Sequence, residues 1–295
     1  MREVLVTGAN GQLGTALQRC RWPAGWQVVG IGRTELDLAD TKAIADLVAE
    51  RPWSIVINGA AYTAVDQAES DIVAAWASNA LAPAAFAAAC VKADIPMIQL
   101  STDYVFDGTK AGAYDVDDAV GPIGTYGASK LGGELAVRMS GARHVIVRTA
   151  WVISAHGHNF VKSMLGLAAT RDHLRVVADQ RGSPTAAADL ADALMQIAVR
   201  LVDDAAAPTG IYHFSNTGPT NWAELAIEIF RQSGARGGPV ARIEPIATVD
   251  YPTPARRPTN SLLSHGAIGR DYGIVPRPWP LALGEILDEL IGAVA

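Results

Sequence analysis

The sequence predicts an α/β protein: a doubly wound parallel sheet joined to a smaller C-terminal α/β lobe. Three observations carry this expectation. The chain opens on a short β-branched run, residues 4–7, that breaks at once into the glycine turn Gly8-Ala-Asn-Gly11-Gln-Leu-Gly14. Strand-length apolar runs then alternate with helical stretches as far as residue 149, the pattern of a Rossmann-type sheet. After that point the alternation loosens, as expected where a second unit is built from what remains of 295 residues.

Each element has a local reason. The glycine turn allows backbone N–H groups to approach an anion at the start of a helix that runs to about residue 20. Residues 27–31 form the second strand, 41–51 a helix, and 54–58 the third strand. Residues 70–92 are alanine-rich and helical, and 97–101 form a buried fourth strand. A polar loop with Gly108, Gly112, Gly121 and Pro122 leads to a helix from Tyr126 to about residue 139. The fifth strand covers 144–149. Beyond it, 159–170 reads as helix, 174–178 as extended, 189–202 as an amphipathic helix, 210–215 as a strand and 222–233 as a helix. Residues 245–258 contain Pro252, Pro254 and Pro258, so this stretch reads as a stiff loop presenting Arg256 and Arg257. A helix over about 281–291 closes the chain. The change of pattern assigns residues 1–150 with about 180–215 to the sheet domain, and about 151–179 with 216–295 to the lobe.

Composition narrows the function classes. An apolar share of 49% with 18% charged residues describes a folded globular chain. A net charge of −6 argues against a dedicated nucleic-acid binder. Cys20 and Cys90 lack metal-ligand spacing and read as buried free thiols of a reducing compartment. The first residues run directly into a strand, which leaves no room for a signal peptide. No uninterrupted apolar run reaches membrane-spanning length, so the expected location is cytoplasmic.

The turn after the first strand has the spacing GxxGxxG, one residue wider than the GxGxxG of dinucleotide-binding dehydrogenases. The second strand ends in Gly32-Arg33-Thr34, with no acid to hold a ribose 2′-hydroxyl and one guanidinium suited to a 2′-phosphate. This favours NADP(H) and leaves NAD(H) open; the competing reading makes Arg33 a solvated loop residue. Gly59, Ala60 and Ala61 after the third strand permit close backbone contact with a cofactor or, equally, close helix packing.

The chemistry centres on two stretches. Ser101-Thr102-Asp103-Tyr104-Val105-Phe106-Asp107-Gly108 brings a hydroxyl and a carboxylate to the carboxyl end of the fourth strand, where open α/β sheets bind ligands. Tyr126 and Lys130, four residues apart, lie on one helix face. An ammonium beside a phenol lowers a pKa that is ordinarily near ~10, giving a proton donor usable near neutral pH.

Taken together, Gly8, Gly11 and Gly14, Thr102, Tyr126 and Lys130 resemble the extended short-chain dehydrogenase/reductase family. Finer features resemble a branch of that family that reduces 4-keto nucleotide sugars. These are Asn58-Gly-Ala-Ala-Tyr-Thr-Ala-Val-Asp66, Arg148-Thr-Ala-Trp151-Val152, Gly182-Ser-Pro-Thr185 and Tyr251-Pro-Thr-Pro-Ala-Arg-Arg-Pro258. The agreement is in order along nearly the whole chain. The resemblance implies NADPH-dependent reduction of the C4 keto group of a dTDP-linked sugar, with Thr102, Tyr126 and Lys130 catalytic. It also implies that Gly11, Gln12 and Leu13 meet the cofactor pyrophosphate and Asp37-Leu38 its adenine end. Ala61, Tyr62 and Thr63 would line the other side of the cofactor. Asp103, Tyr104 and Trp151 would face the sugar, and Arg257 the diphosphate. Some members bind magnesium through acidic residues at a dimer interface. The two matching positions here are Ala16 and Ala188, so magnesium is left open and a monomer or weak homodimer is expected. Two other readings stand beside this one: a nucleotide-sugar epimerase or dehydratase of the same family, and a non-catalytic NADP-binding subunit like the regulatory subunit of methionine adenosyltransferase.

Overall fold

The computed structural model describes residues 1–292. The chain opens with β1 (Arg2–Thr7), α1 (Gln12–Arg19), β2 (Trp26–Ile31), α2 (Thr41–Ala49) and β3 (Ile55–Asn58). α3 (Val65–Ala68) and α4 (Ile72–Trp76) follow, and a π-helical turn over Ala77–Leu81 joins α4 to α5 (Ala82–Ala93). Next come β4 (Met97–Thr102), α6 (Thr125–Met139) and β5 (His144–Thr149). The second half holds β6 (Val152–Ile153), α7 (Phe160–Ala168), β7 (His173–Val177), β8 (Arg181–Gly182), β9 (Thr185–Ala186), α8 (Ala187–Asp203) and β10 (Gly210–His213). It ends with β11 (Thr220–Asn221), α9 (Trp222–Ala235), β12 (Arg242–Ile246), α10 (Gly266–Tyr272) and α11 (Trp279–Ile291).

Six strands form one parallel sheet in the order β10-β5-β4-β3-β1-β2. The chain leaves β1 toward β2 on one side and returns to β3 on the other, so a crevice opens at the carboxyl ends of β1 and β3. Side chains alternate between the faces with period two. Val4 and Val6 join Leu190, Leu194 and Ile197 of α8, while Leu5 joins Ile44 and Val48 of α2 and Phe86 of α5. Burying each such side chain stabilises the fold by about 1.5–3 kcal/mol, which explains why the uninterrupted apolar runs become the central strands.

The lobe has its own core, in which Val161 and Met164 of α7 meet Leu225 and Ile229 of α9 and Leu283 and Leu287 of α11. A two-stranded parallel ribbon, β7 with β12, flanks it. β12 departs from the sequence expectation: Pro245, read as the start of a stiff loop, is inside the strand, paired with Val176. A strand in a two-stranded ribbon has a free side, where a residue without an N–H costs little. The helix expected over 70–92 is broken by the π turn, and α10 lies where no element was expected. Cys90 is buried as anticipated, but Cys20 is only half-buried, its thiol 3.0 Å from the Asp192 carboxylate. By length and mean hydropathy (1.5) the span Ile72–Ala93 could cross a membrane, yet its Phe86, Ala87 and Cys90 are built into the sheet-domain core.

Candidate active site

The crevice begins with the glycine turn. Gly8 holds φ at +74°, and a Cβ on Gly14 would stand 2.2 Å from the Gly8 carbonyl oxygen. The Gly11 N–H donates to that carbonyl (2.9 Å), and α1 begins at the next residue with no side chain capping it. The first N–H groups of α1 are therefore free for an anion, as a dinucleotide pyrophosphate requires. Gln12 reaches the other way. Its amide donates to the Val152 carbonyl (3.2 Å) and accepts from Ser154 (3.1 Å) and Asn159 (3.0 Å), so only its backbone is left for a cofactor. Leu13 packs into the sheet core.

At the end of β2 the structure supplies the acid that residues 32–34 lack. Glu35 folds back so that its carboxylate accepts the Gly32 N–H at 2.8 Å, while Arg33 is exposed. Asp37 is exposed and accepts the Ala39 N–H (2.9 Å); Leu38 and Ala61 are half-buried. Tyr62 is fixed by Asn79 of the π turn, which accepts its N–H (2.9 Å) and donates to its carbonyl (3.0 Å). Asn79 also donates to Ser129 on α6 (3.0 Å), tying the loop after β3 to the helix that carries Tyr126 and Lys130. π turns recur at functional sites; a single asparagine in an alanine-rich helix is the signal in the sequence.

A cleft of about 1310 Å³ opens beside the crevice. Thr102, Asp103, Tyr104 and Tyr126 line it from the sheet domain together with Gln12 and Thr63; Trp151 and Arg257 line it from the far side. Lys130 does not line it. The Lys130 ammonium is buried and donates to the Leu100 carbonyl at 2.6 Å. This corrects the sequence picture of an ammonium lowering the Tyr126 pKa. Burial instead raises the phenol above its ordinary value, Asp103 and Tyr104 add to the rise, and Thr102 opposes it. Lys130 itself is brought down to about 8 by burial, with Glu134 pulling upward. The phenol is thus held protonated, the state a proton donor needs.

Asp103 is 3% exposed. Its Oδ1 accepts the Thr102 hydroxyl at 2.9 Å, and its Oδ2 meets no donor at hydrogen-bonding geometry. Burial pushes its pKa up to about 6, although Ser261 and Thr102 are close enough to draw it down. Tyr104 packs edge-on against Tyr126, with ring centroids 5.5 Å apart. Arg257 donates to the Tyr104 hydroxyl (3.1 Å) and pairs with Asp66 (2.7 Å), whereas Arg256 is exposed and outside the cleft. Trp151 takes the left-handed region (φ +48°) and stacks on Trp222, which sequence reading missed, with centroids 3.7 Å apart. Ala16 is half-buried and Ala188 exposed, and among the described residues no cluster of three or more His, Cys, Asp or Glu side chains is arranged for a metal.

A parallel sheet with a glycine cradle at its switch point, next to a threonine and a protonated tyrosine, describes a nicotinamide-dinucleotide oxidoreductase of the extended short-chain class. Comparison with known proteins narrows the class. The chain belongs to the family described as the RmlD substrate binding domain, whose family model matches residues 1–291. It is 43% identical over 275 residues to the dTDP-4-dehydrorhamnose reductase of Sinorhizobium fredii, covering 93% of each chain. A crystal structure of the Clostridium acetobutylicum dTDP-4-dehydrorhamnose reductase superposes with a TM-score of 0.91 at 36% identity, covering 98% of this chain and 99% of that one. The Bacillus anthracis reductase, solved in complex with NADP, gives 0.90 at 35% identity over 98% and 100%.

Proposed function

We propose that this chain is an NADPH-dependent reductase of the C4 keto group of dTDP-6-deoxy-L-lyxo-4-hexulose, producing dTDP-L-rhamnose, the activity for which its relatives are named. The observation that carries the reading is the cleft in which Thr102 and Tyr126 from the sheet domain meet Trp151 and Arg257 from beyond residue 150. When bound, NADPH supplies the hydride. The free N–H groups at the start of α1 and the glycine cradle fit its pyrophosphate, with Gly8, Gly11 and Leu13 forming the turn. Arg33 would meet a 2′-phosphate, Asp37 and Leu38 would border the adenosine, and Ala61, Tyr62 and Thr63 would border the opposite side.

The chain's residues handle the proton and the fit. As negative charge develops on the C4 oxygen, Tyr126 donates its phenolic proton there, which stabilises the oxygen in the transition state more than in the ground state. Thr102 donates its hydroxyl hydrogen to Asp103 and accepts the Tyr104 N–H, which leaves a lone pair for the Tyr126 phenol; it reaches the substrate oxygen only by turning that hydroxyl away from Asp103. Lys130, buried behind the cleft with its ammonium on the Leu100 carbonyl, would supply positive charge to the phenolate that forms and would have to leave that carbonyl to reach the nicotinamide ribose. Asp103 and Tyr104 face the sugar, Trp151 packs on its apolar C–H face, and Arg257 reaches the diphosphate.

The same reading assigns residues 1–150 with about 180–215 to cofactor binding, and about 151–179 with 216–295 to the sugar nucleotide. The packing supports the division in part: Ile268 and Ile274, within and after α10, pack with α8 on the sheet domain, Leu263 packs with Val105 and Phe106, and Ala186 joins the lobe core. Two free cysteines and a dinucleotide substrate fit a cytoplasmic enzyme, and Ala16 and Ala188 fit a monomer or weak dimer without a magnesium bridge. The test is direct. Purified protein mixed with NADPH and the 4-keto sugar nucleotide loses nicotinamide absorbance; if none is lost, the reading fails.

A further inference from the structure

Under the cleft, outside its lining, three charges are buried together: Glu134 (1% exposed), Arg148 (2%) and Lys130 (4%). Glu134 follows Lys130 by four residues on α6, so the two lie on one helix face. Arg148 of β5 grips the Glu134 carboxylate as a fork, Nε to Oε1 at 2.9 Å and Nη2 to Oε2 at 2.7 Å. The Ser101 hydroxyl, directly before Thr102, donates to the same Oε1 at 2.5 Å. Glu134 and Arg148 receive no role from the cleft itself.

We propose that Glu134 is a positioning residue for the reduction: fixed by Arg148 and Ser101 one helical turn beyond Lys130, it supplies the counter-charge that keeps Lys130 an ammonium. The inference rests on the reductase reading only in giving Lys130 its task. A lysine buried in protein sheds its proton readily unless an anion faces it. A buried carboxylate would in turn take up a proton unless clamped, and the Arg148 fork with the Ser101 hydroxyl is the clamp. Arg148 is itself spared a second cation. His213 faces its Nη1 through Nε2 (3.4 Å), with Nδ1 on the Tyr114 carbonyl (3.1 Å), and burial and Arg148 push that imidazole down to about 3. It is neutral, with the proton on Nδ1 and Nε2 accepting. The Phe106 ring covers the guanidinium at 5.0 Å.

The other titratable groups around the trio are accounted for. Tyr126 on α6 and Tyr104 after β4 are neutral phenols, and Asp103 after β4 is bonded to Thr102. Cys90 on α5 is a thiol pushed up to about 12 and so uncharged. Glu69, after α3, is engaged at the start of α6 by the Thr125 N–H (2.7 Å), and Asp71, before α4, by the Tyr62 hydroxyl (3.2 Å). Asp115 and Asp118 lie behind His213. Glu134 is the carboxylate whose charge reaches Lys130, and it draws the amine upward against the effect of burial.

The test reads the charge on Lys130 without substrate. The chain has lysines only at 42, 92, 110, 130 and 162, so protein labelled with 13C at the lysine ε-carbon gives few resonances, and Lys130→Met assigns the relevant one. The expected result is that Glu134→Gln lowers the Lys130 titration midpoint by about one pH unit or more, and that Glu134→Asp recovers most of it. The alkaline limb of kcat/KM should move down by the same amount. An unmoved midpoint in folded E134Q overturns the proposal, as does a loss of turnover equal at every pH. Should E134Q not fold, the wild-type resonance decides: Lys130, expected to titrate at about 8, must be mostly an ammonium at neutral pH, and a midpoint on the acid side of neutrality overturns the proposal. A wild-type protein that titrates as expected yet consumes no NADPH refutes the reductase reading and leaves this one standing.

Discussion

The indole of Trp151 lies so close over Gly182 that a Cβ on that glycine would come within 2.5 Å of the ring. The contact holds a ring whose own backbone is in the left-handed region, a conformation that costs a bulky residue roughly 1–3 kcal/mol and that persists only because neighbours impose it. The expected outcome for Gly182→Ala is destabilisation by about 1–3 kcal/mol from overpacking, with a several-fold higher KM for the sugar nucleotide as the indole is displaced. Thermal unfolding and steady-state kinetics check both. An unchanged KM in a folded variant would detach Trp151 from the substrate.

Removing the Tyr126 hydroxyl should lower kcat by roughly 10²–10⁴-fold, the range for lost general-acid help, and leave the Kd for NADPH within a few-fold. The phenol is held protonated by burial, so Tyr126→Phe removes a proton without removing a charge. Fluorescence titration with NADPH separates the two quantities. Near-normal turnover in this variant would take Tyr126 out of the proton step.

The sheet domain was legible because its central strands, buried on both faces, are built around Val, Ile and Leu runs, and its glycine turn can fold in few ways. The lobe was less so. β12 carries Pro245 and polar neighbours, and α10 is a seven-residue helix with Gly266 and Gly269, so neither has the periodicity that marks an element. At the site, spacing located Tyr126 and Lys130 on one face but could not show which group the ammonium meets, because Leu100 is thirty residues away and contributes a backbone carbonyl. Glu134, and the pairing of Arg148 with it, escaped notice for the same reason. A carboxylate four residues after a lysine usually marks a solvated helix face, and only the β4–β5 register, which sets Ser101 opposite Arg148, turns it into a buried cluster.

The Arg257 fork has partners within the chain: Asp66 takes one arm and the Tyr104 hydroxyl the other. A diphosphate must compete with Asp66 for the guanidinium. Arg257→Ala is therefore expected to raise KM for the sugar nucleotide by roughly tenfold or more, since charge-assisted bonds to phosphate are strong. Asp66→Asn, which frees the fork, is expected to lower KM or leave it unchanged. If both variants raise KM equally, the pair is a structural strut and not a phosphate site.

Cofactor choice should be modest. Arg33 is exposed, and the Glu35 carboxylate beside it on the Gly32 N–H is the kind of acid that favours a free ribose hydroxyl. Arg33→Ala is expected to weaken NADPH by about tenfold while leaving NADH unchanged, one charge-assisted phosphate contact being lost. Dissociation constants for the two dinucleotides check this; equal loss for both would place Arg33 away from the 2′-position.

The orphaned oxygen of Asp103 gives a pH dependence whose sign is fixed. Its pKa is about 6 in the folded protein against an ordinary 3.8, so between those values the native state holds a proton that the unfolded chain has released. Stability therefore falls as pH rises through this window, and above it the buried carboxylate costs at most about 3 kcal/mol. Asp103→Asn keeps the shape and an acceptor for the Thr102 hydroxyl but cannot ionise. It should raise Tm at pH 7.5, leave it close to wild type at pH 4, and reduce turnover, because a charge retained at a stability cost in an active-site cleft is there for what it does to the substrate. Unfolding curves at the two pH values decide the point: the same Tm difference at both would show that ionisation of Asp103 is not its source.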